Sequence, residues 1–492
     1  MKRIRFEIIA IAISAYFVGF PSSGLTENLD ISWMKVFGGF YADEGRSIQK
    51  TNDGGYIIAG YTKEDAASGI NIFLIKTDSH GQIIWDNMYG GPNDDWGNYV
   101  ELTDDGGYII AGGTESFSEN NNDVYLVKTD SDGNIIWQKT YGGEFDEEAS
   151  CVMQTWDGGY ILVGWTDSYG AGEDDVYLIK TNAWGDTLWT RTFGDAFYDK
   201  GYMVEQTSDG HLIIIGGTGY FGFYNPDAYL IKIDLNGDTL WTRTVGDYWS
   251  DAGRSITKTP DGGFIIAGWT MSYGEGSHDI YLVKVDSTGE SVYHKTYGGE
   301  YSDVARSLEP TSDGGYIITG YTYSFGEGNM DIYVIKTDSN CDSIWTTTIG
   351  GPEFDYGWAG VESRDGGYTV VGWTSSFGAH SRDIILANIS FQQTDADDII
   401  DINTPDKFAL FQNYPNPFNA ATTISFAVED DHQVILAIYD LLGREVNCLI
   451  DEFLTAGSYQ VSFDASHLAS GVYLCSLQAD DNRQTKRMVL LK

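Results

Sequence analysis

Basic residues are scarce in this chain: 29 Lys plus Arg stand against 72 Asp plus Glu, a formal net charge of -43. Such a surface repels phosphate backbones and anionic lipid head groups alike, which excludes nucleic acid as a partner. Cysteine is scarcer still. The four, Cys151, Cys341, Cys448 and Cys475, show no CxxC spacing and sit in unrelated contexts, so neither a zinc site nor a disulfide framework is indicated. Cys448 and Cys475 both fall within the C-terminal domain, and strand alternation leaves open whether they meet. His80, His211, His278, His294 and His380 are scattered, which argues against a metal-ligand set. Long apolar runs are missing after the first two dozen residues, so no later segment could cross a bilayer as a helix. Heptad-like stretches are few, while Gly 60, Tyr 33 and Trp 14 favour short strands joined by tight turns.

At 492 residues two or more domains are expected. The chain opens with Lys2, Arg3 and Arg5, an apolar run over residues 8–20, and the small residues Ser22, Ser23 and Gly24. This pattern predicts a secretory signal peptide over residues 1–24. A membrane anchor, the alternative, needs about 20 apolar residues and a stop signal.

An internal repeat settles the architecture. The Asp of an Asp-Gly-Gly-like turn recurs at Asp53, Asp105, Asp157, Asp209, Asp261, Asp313 and Asp365, always 52 apart. Trp33, Trp85, Trp137, Trp189, Trp241, Tyr293 and Trp345 keep the same step. Residues 97–141 read as four strands bounded by turn residues, which is the content of a β-propeller blade, and the second and third strands are apolar on both faces, as in a sheet sandwiched between neighbours. Trp33 precedes the first full unit and the last unit lacks its own fourth strand, so the entering strand should belong to the seventh blade and close the ring.

The spacing Asp130-x-x-Gly133-x-x-x-Trp137 resembles the docking pattern of quinoprotein-type propeller blades, one residue shorter between Asp and Gly. Thr311-x-Asp313-x-Gly315 resembles the Asp-box of sialidases, with Ile318 where that motif has an aromatic residue. Both motifs are structural in their families, so neither implies chemistry.

After an acidic linker, residues 391–407, a different domain occupies residues 408–492. The motif Tyr414-Pro415-Asn416-Pro417-Phe418-Asn419, with Gly443 in a Leu-Leu-Gly-Arg turn and Gly471-Val-Tyr473 near the end, resembles the type A sorting domain of type IX secretion. That resemblance implies an immunoglobulin-like sandwich, the type IX machinery as a partner, and passage to the cell surface or the medium. A generic adhesive sandwich is the alternative.

Two loops per blade should share one face, offering Phe117, Tyr169, Tyr273 and Phe325 from one set and Tyr41, Phe145, Trp249 and Tyr301 from the other. Beside them runs a carboxylate column, Asp43, Asp95, Glu147, Asp199, Asp251, Asp303 and Asp355. Rings next to carboxylates suit a glycan, and a carboxylate ring suits Ca²⁺, yet residues kept in every blade read first as support for the blade. Residues that break the pattern are better candidates. Repeat four breaks it most, so Tyr220, Phe221, Phe223, Tyr224 and His211, with Trp249 and Tyr301, form the candidate ligand-binding set. Arg46, Arg254 and Arg306 share one inner-strand column, similar to a sialidase arginine cluster, and read more simply as copies of one consensus residue.

No nucleophile with its base, and no carboxylate pair distinct from its copies, stands out. The expectation is an all-β monomer: a seven-bladed propeller over residues 25–390, closed by the N-terminal strand, then the sorting sandwich. It should be secreted or held at the outer-membrane surface, without a stable transmembrane anchor, catalytic residues, cofactor or metal, and bind a glycan or a protein. A secreted glycan-active hydrolase or lyase is the alternative.

Overall fold

The structure, a computed structural model, describes residues 29–391 and 408–490, except 67, 119–120, 220–226, 365, 379–380, 411–420, 429–431, 441–443, 455–456, 466–467, 469–470 and 480–481. The expected signal peptide lies outside the described residues. The chain divides into two compact units, one holding Asp30–Ser390 and the other Phe391–Lys492. Among the described residues no helix is long and apolar enough to cross a membrane.

Each repeat folds as a four-stranded antiparallel sheet, and the second shows why. Asp95–Leu102, Tyr108–Thr114, Asp123–Thr129 and Ile135–Tyr141 pair in sequence order. Asp105 turns the chain between the first two strands by accepting hydrogen bonds from the Thr103 hydroxyl at 2.6 Å and the Gly107 N–H at 3.0 Å. Gly106 adopts the positive φ of 83° that this turn needs. Tyr108–Thr114 is buried at every position, whereas the fourth strand alternates half-buried and exposed residues. The inner strands therefore carry the core and the fourth strand faces water on one side.

Apolar clusters fill the space between consecutive sheets. Ile57, Leu74 and Tyr89 of the first sheet meet Val100, Ile110 and Val127 of the second, and Val371 and Leu386 of the seventh meet Ile48, Ile58 and Ile75 of the first. Fourth-strand tryptophans reach across to the next sheet, with Trp85 to Tyr108 at 6.0 Å, Trp137 to Tyr160 at 5.9 Å and Trp345 to Tyr368 at 5.4 Å between ring centroids. The seventh sheet takes its fourth strand from the N-terminus: Leu29–Phe37 hydrogen-bonds to Asp383–Phe391. Trp33 departs in part from expectation. Its backbone lies in the seventh sheet while its indole rests on Tyr56 of the first, 6.3 Å away, because the fourth-strand ring always serves the following sheet.

A buried ion pair recurs within the sheets. Lys180 is almost completely buried beside the apolar centre of its third strand, Val176–Ile179, and its Nζ donates to Asp157 at 3.0 Å and to the Thr181 carbonyl at 3.0 Å. Lys76, Lys128, Lys232, Lys284 and Lys336 pair likewise with Asp53, Asp105, Asp209, Asp261 and Asp313.

The second unit contains two antiparallel sheets. Ala409–Leu410, Ala421–Val428 and Gly457–Asp464 form one. Glu445–Leu454, His432–Asp440, Gly471–Ala479 and Asn482–Leu490 form the other in that order. Ile424 and Phe426 from the first share a core with Leu436, Ile438 and Leu477 from the second. Cys448 and Cys475 lie on strands that flank His432–Asp440 from opposite sides. Gly471 and Tyr473 sit on a core strand, whereas Tyr414, Pro415, Asn416, Pro417, Phe418, Asn419 and Gly443 lie outside the described residues.

Candidate functional site

The first strand of every sheet carries a β-bulge at the same place. Its pairing with the second strand skips one residue between Gly45 and Ser47, Gly97 and Tyr99, Ala149 and Cys151, Gly201 and Met203, Gly253 and Ser255, Ala305 and Ser307, and Gly357 and Ala359. The skipped residues are Arg46, Asn98, Ser150, Tyr202, Arg254, Arg306 and Trp358. A bulge re-aims the extra side chain out of the pleat, and all seven line one cavity of about 290 Å³, bounded by first strands of all seven sheets. The residue before the bulge is Gly or Ala in every sheet, whereas the bulge position varies. By the criterion that pattern-breaking residues carry function, this column is a candidate.

Its chemistry is cationic and aromatic. The Arg254 guanidinium stands 4.0 Å from the Tyr202 ring centroid, and that of Arg306 lies 5.0 Å from Trp358 and 5.3 Å from Tyr356. Arg46 donates to Asn98 Oδ1 at 2.6 Å and lies 3.4 Å from Glu44. Asn98 in turn donates to Glu148 at 2.6 Å, which also accepts from Trp96 Nε1 at 3.0 Å. Burial, opposed by the Tyr202 phenol and reinforced by the Arg306 charge, pulls Arg254 below the usual arginine range.

A second cavity of about 320 Å³ shares Gln49, Tyr99, Met203 and Glu309 with the first and continues to Glu101 and Glu205. Burial pushes Glu101 up to about 8, against a hydrogen bond from the Gln154 N–H. Burial, then the neighbouring Glu205, pushes Glu309 up to about 7.

His211 precedes the strand Leu212–Gly219 and residues 220–226 follow it, so His211 stands at the opposite end of an eight-residue strand from the loop with which it was grouped. Its Nδ1 lies 3.0 Å from Asp209, beside the Lys232 pair. Tyr220, Phe221, Phe223 and Tyr224 lie outside the described residues. Trp249 and Tyr301 are exposed, on the loops leading into the fifth and sixth sheets. The arginines set aside as consensus copies are the ones brought to the cavity. The signal that could have found them is that Arg, Asn, Ser, Tyr, Arg, Arg and Trp occupy one column directly after a Gly or Ala kept in every repeat.

The carboxylate column supports the sheets. Asp95 accepts from the Gly91 N–H at 2.7 Å, from Ser116 at 2.6 Å and from the Thr114 hydroxyl, and Asp355 accepts in the same way from Gly351, Ser376 and Thr374. Each faces the acid that opens a third strand of the preceding sheet: Asp331 and Asp355 crowd Gly350 so closely that no β-carbon would fit. Among the described residues no group of three or more His, Cys, Asp or Glu is arranged to hold a metal. Burial, then Asp355, raises Asp331 to about 7; burial, then Asp251 and Asp247, raises Asp227 to about 6. These groups keep in the folded state a proton that the unfolded chain releases near pH 4, so stability falls as pH rises through that interval. Thermal melts should give a higher melting temperature at pH 5 than at pH 8, and Asp331→Asn should shrink the difference. A pH-independent melting temperature across that range would contradict this.

Residues 412–491 match the secretion system C-terminal sorting domain. The chain is 19% identical to an uncharacterized WD repeat-containing protein of Acanthamoeba polyphaga mimivirus, across 61% of this chain and 32% of that one. Among solved structures it is similar to PorZ, a surface component of the type-IX secretion system of Porphyromonas gingivalis, with 11% identity, 89% and 58% coverage and a TM-score of 0.41. It is also similar to the Neurospora crassa Pan2 WD40 domain, with 10% identity, 70% and 88% coverage and a TM-score of 0.41. The chain spans about a third of the curated relative and under two thirds of the PorZ chain. Four-stranded sheets stacked face to face with their first strands around one cavity are a β-propeller, and behind it residues 412–491 belong to the secretion system C-terminal sorting domain family of type IX tails.

Proposed function

We propose that the protein is exported by the type IX system to the cell surface or the medium, where its propeller binds a glycan in the central channel without catalysing a reaction. On this reading residues 1–24 are removed on export, seven blades form a ring closed by Leu29–Phe37, and an immunoglobulin-like sandwich forms the tail. The observation that carries it is the bulge column: all seven first strands bring the extra residue of a β-bulge, differing from sheet to sheet, to one cavity. Trp358 and Tyr202 supply faces for sugar rings, while Asn98, Ser150 and Glu148 supply partners for hydroxyls. Trp249 and Tyr301, exposed on loops, act as outer contacts, with Tyr220, Phe221, Phe223 and Tyr224 assigned to the same role.

One observation favours a glycan-active enzyme instead. Glu309 and Glu101, raised to about 7 and about 8, are carboxyls that stay protonated near neutral pH, as a general acid must. A glycan array probed with the purified full chain, followed by chromatography of each retained glycan, separates the readings. Binding without change of chain length is expected, weakened at least tenfold by Trp358→Ala. Shortened products abolished by Glu309→Gln would establish the enzyme, and a silent array with folded protein would remove the glycan reading.

A further inference from the structure

The charge inside the channel runs against that of the whole molecule. In a chain of net charge -43, Arg46, Lys200, Arg254 and Arg306 line one cavity. Two of the four are neutralised: Arg46 lies beside Glu44, and Lys200 lies 2.8 Å from Asp174. Arg254 and Arg306 have no such partner. The Nε–H of each is buried without an acceptor; the Tyr202 ring packs on Arg254 and the Tyr356 and Trp358 rings on Arg306, whose guanidinium also hydrogen-bonds the Tyr356 hydroxyl. Bringing two like charges together out of bulk water is costly, and among the described residues the offset comes from aromatic rings and phenols and not from a carboxylate.

A guanidinium edge fits a carboxylate through two parallel hydrogen bonds, and two guanidiniums side by side fit one better than a single cation does. A small inorganic anion would satisfy that charge but not the rest of the wall. Trp358 Nε1 and the Ser307 hydroxyl line the same cavity and also lack partners. Their donors suit hydroxyls projecting from the same molecule as the carboxylate, and the rings suit its apolar face. A cavity of about 290 Å³ takes one or two sugar units.

We propose that Arg254 and Arg306 bind the carboxylate of a uronic acid unit, so that the channel is selective for an acidic oligosaccharide. This rests on the reading of the channel as a glycan site. Selectivity comes from the arginine pair, and contacts to Trp358 and Ser307 come from the sugar ring.

Titration calorimetry with the full chain tests it, using trigalacturonate and trimannuronate, their neutral counterparts trigalactose and trimannose, and sulfate. At least one uronate trisaccharide should bind tenfold or more tighter than its neutral counterpart and than sulfate, and lose affinity as salt rises. Arg254→Gln and Arg306→Gln should each erase that preference, lowering uronate affinity at least tenfold more than neutral-sugar affinity. Arg306→Lys, which keeps the charge and loses the fork, should fall between. Should either Gln variant fail to fold, the acid-to-neutral ratio of the unaltered protein decides alone. Equal affinity for acidic and neutral trisaccharides overturns the uronate assignment and leaves the glycan reading standing. Sulfate binding as tightly as any uronate reduces the site to a small-anion site. No affinity for any saccharide on the array removes the glycan reading itself.

Discussion

Deleting residues 29–37 should lower the melting temperature by roughly ten degrees or more and make the protein self-associate more than its parent. That strand hydrogen-bonds along Asp383–Phe391, so without it the seventh sheet ends in a row of unpaired backbone groups, the template for edge-to-edge association. It also carries Phe37, 2% exposed in a cluster with Ile48 and Leu386, and Trp33, packed against that cluster. Each aromatic side chain removes roughly 150–250 Å² from water, which at about 25 cal/mol per Å² is on the order of 4–6 kcal/mol as an upper bound. Because the Trp33 indole stands on Tyr56, the deletion loosens the first sheet as well as the seventh. Calorimetry with light scattering reads both effects. A deletion of residues 395–400 serves as the control and should leave both unchanged. A truncated protein that melts like its parent and self-associates no more than it does would show that the strand latches nothing.

The period of the fold was legible because a blade cannot bury its faces alone: every repeat must supply the same strands, turns and docking aromatics, so the constraint appears seven times. The bulge column was legible only as variation. A bulge is a register effect between Gly45 and Ser47 and their partners, and no residue type announces it. Arg46, Arg254 and Arg306 therefore looked like consensus copies until the strand pairing showed where the extra residue points. His211 was grouped with the 220–226 loop because both break the pattern, whereas a strand of eight residues stands between them. The Asp of the Asp-Gly-Gly turn was read as a turn former, which it is. Its second role, as counter-ion to a lysine two strands away, depends on the antiparallel pairing that sets the third-strand lysine beside the turn.

That second role carries the other large expected effect. Asp157→Ala should cost about 3 kcal/mol, because it leaves the Lys180 ammonium, 2% exposed on its side chain, with little beyond the Thr181 carbonyl; removing one partner of a buried pair costs about 3–5 kcal/mol, and the half-exposed Asp157 places this case at the lower end. Lys180→Met should cost less, since it removes the buried charge and keeps most of the volume, leaving Asp157 open to water. The double variant should be more stable than Asp157→Ala alone. The seventh repeat already shows an uncharged solution: Asn388 replaces the lysine and donates to Ser363 at 2.8 Å and Thr369 at 3.0 Å. The pairs also set the acid limit. Burial would raise Asp53 and Asp313, but hydrogen bonds from Thr51 and Lys76 in one, and from Lys336 and Thr311 in the other, hold both at about 2. Their contribution is present above the unfolded value near pH 4 and is lost as pH falls toward 2. Chemical denaturation of the four proteins at pH 6 and pH 3 tests the argument. Strict additivity of the two substitutions at pH 6 would mean that Lys180 and Asp157 are neighbours without being partners.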